Sequence, residues 1–434
     1  KAGGRSKGQE QEVYTWQEPD EKTLSFQREH SASLRISIVV PAYRTKKEHL
    51  EAMLNSVSRQ SYPHWELIVA DAGGTAESVQ AWAKKNGICL REAADASNLA
   101  EWKDQSIVLC TLSENKGISA NTNAGIELAA GDAVGLLDHD DLLTANALWE
   151  MADCLEKEKK RGKQKLVLFS DEDKCDGAAS RFYEPNFKPD FDGELLLTNN
   201  YICHFTVIET AFLKELKLRS GFDGAQDYDL VLRAYAAGGQ FVHVPKVLYH
   251  WRCHEASTAS NPQSKRYAYE AGQRALEDYC LRKGWKATVS GLKHLGFYRE
   301  DYEDSVFCQR PEIGIWAKPL PGGRDVFGIR HPKGFLVSGL YENDGSMRYA
   351  GLRKGYSGPM HRAALQQSAP AADLRSMEVC SALKERYAQT IAELKEACQG
   401  LPTAAQETKI LQKSMEFCKE ATAAGYGILW DPQA

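Results

Sequence analysis

Val134-Gly135-Leu136-Leu137-Asp138-His139-Asp140-Asp141 reads as a short buried strand that runs straight into three carboxylates. So much unpaired charge does not belong inside a core, which puts the acidic cluster at the strand's exit, on the rim of a cleft. Carboxylates in such a place suit a hard divalent cation, Mg2+ or Mn2+, with phosphate oxygens and water filling its other positions. The plainer reading makes Asp141 the N-cap of a helix that starts at Leu142-Leu143-Thr144.

The segments on either side show what the cluster is attached to. Leu34-Arg35-Ile36-Ser37-Ile38-Val39-Val40 is a β-branched run that Pro41 should stop. A helix over 47–60 carries Leu50, Met53, Leu54 and Val57 at helical spacing. A second strand, Glu66-Leu67-Ile68-Val69-Ala70, ends at Asp71-Ala72-Gly73-Gly74, and a helix over 76–86 follows. After the acidic cluster come a charged helix from Leu142 to about Arg161 and a strand, Lys165 to Phe169, that ends at Ser170-Asp171-Glu172-Asp173. This rhythm predicts a doubly wound α/β domain, in which ligands lie beyond the C-terminal ends of the strands.

Composition narrows the function. The 434 residues carry a net charge of −5, which does not suit a nucleic-acid-coating protein, and they are enough for two domains or more. The longest apolar runs are strand-sized, so no membrane span is expected, and no signal peptide is visible. Lys1 in place of Met suggests a fragment. The 11 cysteines are odd in number and lack CxxC spacing, as expected of reduced thiols in a cytoplasmic protein. Residues 1–33 read as a polar tail or strap around Tyr14-Thr15-Trp16.

Four stretches in order, Ile38-Val39-Val40-Pro41-Ala42-Tyr43, Glu66 to Asp71, Asn115-Lys116-Gly117-Ile118-Ser119 and Leu136 to Asp141, resemble glycosyltransferase family 2. That family has the nucleotide-sugar-binding GT-A fold. Ser170-Asp171-Glu172-Asp173-Lys174, Lys188-Pro189-Asp190 and Gln226-Asp227-Tyr228-Asp229-Leu230 look like the branch that builds bacterial surface polysaccharides. The resemblance spans residues 34–290 and implies an inverting, metal-dependent transfer of a sugar from a nucleotide-diphosphate donor to a glycan or lipid-linked glycan. An acceptor on a lipid would be met at the inner face of the membrane.

The resemblance also implies residue roles. Asp140 is the main Mn2+ or Mg2+ ligand, Asp138 meets the ribose or the metal's water shell, and His250 completes the metal site. Pro41, Tyr43 and Asp71 lie by the nucleotide base, with Asp71 accepting an imino N–H. Asn115 and Gly117 lie on the donor side, and Arg252 meets the diphosphate. Asp171, Glu172, Lys188 and Asp190 touch acceptor or donor sugar, and Asn200-Tyr201 line the same pocket. Asp227 is the general base, exposed in a first helical turn and kept ionised by the helix dipole. Two departures stand out: Gln226 replaces the family's Glu, and Asp71-Ala72-Gly73-Gly74 replaces Asp-Asp-Gly-Ser.

Further on, 254–261 reads as a polar loop that closes over the donor. Ala423-Ala424-Gly425-Tyr426-Gly427-Ile428-Leu429-Trp430-Asp431-Pro432 echoes the pattern of Ala236 to Pro245, and Gly345 to Gly351 resembles the back half of such transferases. The register sets Ser414 against Asp227 and Glu420 against Arg233, predicting a smaller, degenerate α/β module over 305–434 without a base. Two alternatives compete. A sugar nucleotidyltransferase would open with a Gly-rich phosphate loop, where this chain has Pro41-Ala42-Tyr43. A non-catalytic binding protein would be free to lose Asp138, Asp140 and Asp227.

Overall fold

The computed structural model describes residues 14–94, 101–253, 266–291, 295–302, 315–320, 324–331 and 334–342. The chain divides into two compact units, 1–279 with 293–296, and 280–292 with 297–434. In order, the first unit opens with α1 (Glu21–Glu29), β1 (Ile36–Ala42), α2 (Lys47–Ser58), β2 (Trp65–Asp71), α3 (Ala76–Asn86), β3 (Cys89–Glu92) and β4 (Ser106–Thr111). There follow α4 (Ile118–Leu128), β5 (Ala133–Leu136), β6 (Leu142–Leu143), α5 (Ala147–Lys160), β7 (Leu166–Cys175) and β8 (Phe182–Asn186). It continues through α6 (Gly193–Thr198), β9 (Thr206–Glu209), α7 (Thr210–Leu216), α8 (Gln226–Ala236), β10 (Gln240–Arg252) and α9 (Arg266–Arg282), the last of which runs on into the second unit.

One mixed sheet orders these strands β3-β4-β2-β1-β5-β9-β7-β10-β6, with β8 beside β7. β3, β4, β2, β1 and β5 are parallel, β9 runs antiparallel between β5 and β7, and β10 is parallel to β7. Strands buried on both faces need near-continuous apolar sequence, and Ile36 to Val40 and Leu67 to Ala70 supply it. Ile38, Val40, Leu67 and Val69 pack with Leu50, Met53, Val79, Met151 and Leu155 of α2, α3 and α5. Val39, Ile68 and Val108 face the other way, toward Ile126, Phe212, Leu213 and Leu230 of α4, α7 and α8. The result is the expected doubly wound α/β sandwich.

Two boundaries differ from the sequence reading. Pro41 lies within β1, because β5 has already ended and only β2 pairs with it there. The helix expected from Leu142 starts at Ala147; Leu142 and Leu143 instead pair with His250 and Tyr249 of β10. Asp141 is therefore no helix cap. β10 runs unbroken through Pro245 to Arg252, with register shifts between Val244 and Tyr249 that absorb the proline.

In the second unit, β11 (Ala287–Gly291) and β12 (Tyr298–Tyr302) pair antiparallel, and β13 (Ile315–Leu320), β14 (Arg324–His331) and β15 (Gly334–Glu342) form an antiparallel sheet. The predicted donor-closing loop 254–261, the stretch 345–351 and the echo at 423–432, with Ser414 and Glu420, lie outside the described residues.

Candidate active site

The C-terminal ends of β1 and β5 open into a cleft roofed by the first turn of α8 and the segment before β9. Pro41, Asp138, Asn200, Cys203, His204 and Asp227 line it, over an apolar floor that includes Val39 and Leu136. The acidic cluster therefore does sit at a strand exit. Its three carboxylates part company there: Asp138 and Asp140 keep side-chain exposures of 44% and 22%, while Asp141 is buried. Asp141 accepts from the Tyr249 hydroxyl (2.5 Å) and the Arg252 backbone N–H (2.7 Å). Burial and the charges of Asp140 and Asp138 push its carboxyl well up.

Asp227 is half-buried and accepts from Asn200 Nδ2 at 2.8 Å, with the Cys203 thiol 4.0 Å away. Burial raises its carboxyl above the ordinary range; His204 and the Tyr228 backbone N–H pull it down, and Asp138 adds to the rise. His204 sits in between. Its ring stacks on Tyr249, with centroids 4.7 Å apart at 17°, Nδ1 meets Glu172 at 3.1 Å, and Nε2 stands 3.9 Å from Asp138. Burial opposes its charge, but Glu172, Asp138 and Asp141 together push it up to about 9. Burial likewise opposes the charge of Glu172, and Lys188 and His204 overcome that to hold it at about 2.

Residues 37–216, which include the cluster and His204, match the sequence model described as Glycosyl transferase family 2. This segment is a family 2 glycosyltransferase domain. The chain is 36% identical over 255 residues to y4gI, an uncharacterized protein of Sinorhizobium fredii, covering 58% of this chain and 26% of that one. It is 34% identical over 256 residues to the O-antigen biosynthesis protein RfbC of Myxococcus xanthus, covering 59% and 19%. The chain thus spans about a quarter or less of these curated relatives. A crystal structure of S. aureus TarS (1–349) is similar over 57% of this chain and 66% of that one, at 19% identity and a TM-score of 0.41.

Within the transferase domain, several expected ligand contacts are engaged elsewhere. Asp71 is buried and accepts from the N–H groups of Gly73 (3.0 Å), Thr75 (3.3 Å) and Ala76 (2.9 Å), so it anchors its own loop and the start of α3. Arg252 is buried: its Nε donates to Asp140 O at 2.5 Å and Nη1 to Gly177 O at 2.8 Å, which braces the acidic turn from behind. His250 is buried too, with Nδ1 2.5 Å from Asp173 and its ring among Trp16 and Phe182. Lys188 Nζ donates to Ile202 O (2.7 Å) and His204 O, and Asp171 accepts from Lys188 N and pairs with His243, each at 2.8 Å. Lys188 and Asp171 are buried framework. Asp190 is 75% exposed, beside His243. Tyr43 is exposed under Arg44, and Tyr201 is buried, its hydroxyl accepting from Asp192 N at 2.8 Å.

Asn115 and Gly117 build the entry to α4. Asn115 Oδ1 accepts from Gly117 N at 3.0 Å and Asn121 Nδ2 at 2.8 Å, while Asp223, from the loop before α8, accepts from Ser119 N at 3.2 Å. Gly117 has φ +94°, and a Cβ there would collide with the Asp223 carboxylate. Gly117→Ala is therefore expected to cost about 1–3 kcal/mol, read as a lower urea midpoint; an unchanged midpoint would contradict it. Sequence reading missed His204 and Asp223. The Asn199-Asn200 pair and a histidine just ahead of a strand were the available signal for the first; a contact between distant loops left none for the second.

Among the described residues, no three His, Cys, Asp or Glu side chains form a group that could hold a metal ion. Asp138 and Asp140 do present hard oxygen donors at the cleft rim, which suits Mg2+ or Mn2+ completed by a ligand's phosphate oxygens. Among the described residues no helix is long and apolar enough to cross a membrane.

Proposed function

We propose that this domain is an inverting glycosyltransferase that moves a sugar from a nucleotide-diphosphate donor to a hydroxyl of a glycan or lipid-linked glycan in bacterial surface-polysaccharide synthesis. The observation that carries the reading is the placement of Asp138 and Asp227 in one cleft at the C-terminal ends of the strands. Similarity to an O-antigen biosynthesis protein supports the polysaccharide context. Asp227 accepts the proton of the acceptor hydroxyl; that oxygen bonds to the anomeric carbon as the bond to the diphosphate breaks. Asn200 orients the carboxylate for this task. Asp138 and Asp140 would hold Mn2+ or Mg2+, whose chemistry is to neutralise the departing diphosphate.

Thermal stability against UDP, dTDP, GDP and CDP, with and without Mn2+, tests the reading. One diphosphate should raise the melting temperature in a metal-dependent way, and Asp140→Ala should remove the rise. No rise with any diphosphate would leave a non-catalytic carbohydrate-binding role in its place.

A further inference from the structure

Resting on that donor-site reading, we propose that His204 binds the terminal phosphate of the donor diphosphate through Nε2, with Glu172 as its positioning residue. The imidazole has little freedom. Tyr249 stacks on one face and Trp251 lies 5.7 Å away, while Nδ1 is tied to Glu172 at 3.1 Å. Glu172 is itself pinned by Asn186 Nδ2 at 3.2 Å and faces Lys188 Nζ at 3.7 Å, so the anchor behind the ring is fixed. With Nδ1 committed, Nε2 is turned into the cleft, where Asp138 at 3.9 Å is beyond hydrogen-bond reach.

Location selects the phosphate over the acceptor. His204 faces Asp138, on the side where the polypeptide presents its carboxylates to the donor, and Asn200 and Cys203 stand next to Asp227. Asp138 and Asp227 line this cleft, and a diphosphate brings further negative charge into it. Arg252, the other cation expected there, is buried, with Nε and Nη1 on the carbonyls of Asp140 and Gly177, and it is not among the residues that line the cleft. His204 lines the pocket and brings an imidazole N–H to it within 3.9 Å of Asp138.

The test compares nucleoside diphosphates with the matching monophosphates. Calorimetric binding of UDP, dTDP, GDP and CDP, and of UMP, dTMP, GMP and CMP, is measured in Mn2+ on wild type, His204→Gln and Glu172→Gln. His204→Gln should weaken the preferred diphosphate by about tenfold or more, the scale of one charge-assisted hydrogen bond. The monophosphate of the same base should bind as before. Glu172→Gln, which keeps the imidazole, should shift the diphosphate in the same direction by less. Circular dichroism of each variant establishes that it is folded, and should His204→Gln not fold, Glu172→Gln decides alone. Equal loss for both nucleotides, or loss for neither, overturns the assignment while leaving the donor site standing. Absence of any diphosphate binding by wild type removes the donor site and the assignment with it.

Discussion

Asp227→Asn is expected to lower the rate of sugar transfer by about 10²–10⁴-fold, the usual contribution of a positioned general base, with diphosphate affinity unchanged. The amide keeps the shape of the carboxylate and an oxygen that can accept from Asn200. What it loses is the capacity to take the acceptor's proton. The pH profile of kcat/KM carries the same signature. Burial raises the Asp227 carboxyl, so the protonated, inactive form persists above the ordinary carboxylate range, and activity falls as pH drops through that raised value. On the alkaline side, loss of the His204 proton near 9 should reduce the rate again. In any residual activity of the variant the acid limb should vanish. Stability should move the other way. An acid whose folded pKa is raised favours folding most at low pH and costs stability once ionised, so Asp227→Asn should melt higher at neutral pH. A residual acid limb, or weaker diphosphate binding, would remove Asp227 from the role of base.

What the sequence disclosed, and what it did not, follows from the range of the forces involved. The strands Ile36–Ala42 and Trp65–Asp71 were legible because burial on both faces demands unbroken apolar sequence. The position of Asp138 at a strand exit was legible for the complementary reason that charge cannot stay in the core. Side-chain partners were not legible. Arg252 and Lys188 carry the charge expected of ligand contacts, but backbone carbonyls of Asp140, Gly177 and Ile202 claim them. Those carbonyls reach them only through folding, across 14 to 112 residues of sequence. Asp71 shows the same effect at short range, where three backbone N–H groups engage its oxygens. Asp227 was singled out by the family resemblance of 226–230, and its half-buried environment depends on Asn200 and Cys203. His204 emerged only when Glu172, Tyr249 and Asp138, from three separate segments, closed around it.

Lys188→Met should destabilise the domain by about 3–5 kcal/mol, the cost of leaving a buried charge without its partner. The Lys188 side chain is 1% exposed, and its ammonium faces Glu172 at 3.7 Å while donating to the carbonyls of Ile202 and His204. Methionine fills the same volume, so packing is spared and the electrostatic loss is isolated. The pH dependence identifies the cause. Glu172 is held at about 2 against an ordinary 4.5, so its ion pairing contributes stability above about pH 4.5, which is lost as pH falls through 2. The gap between wild type and Lys188→Met in chemical denaturation should therefore be full at neutral pH and narrow in acid. The same substitution releases two carbonyls that flank the turn into β9, and with them the orientation of His204. Diphosphate affinity should consequently fall in Lys188→Met even under conditions where the variant is fully folded. A gap independent of pH would make Lys188 a packing residue alone, and unchanged diphosphate affinity would uncouple this buried network from the cleft.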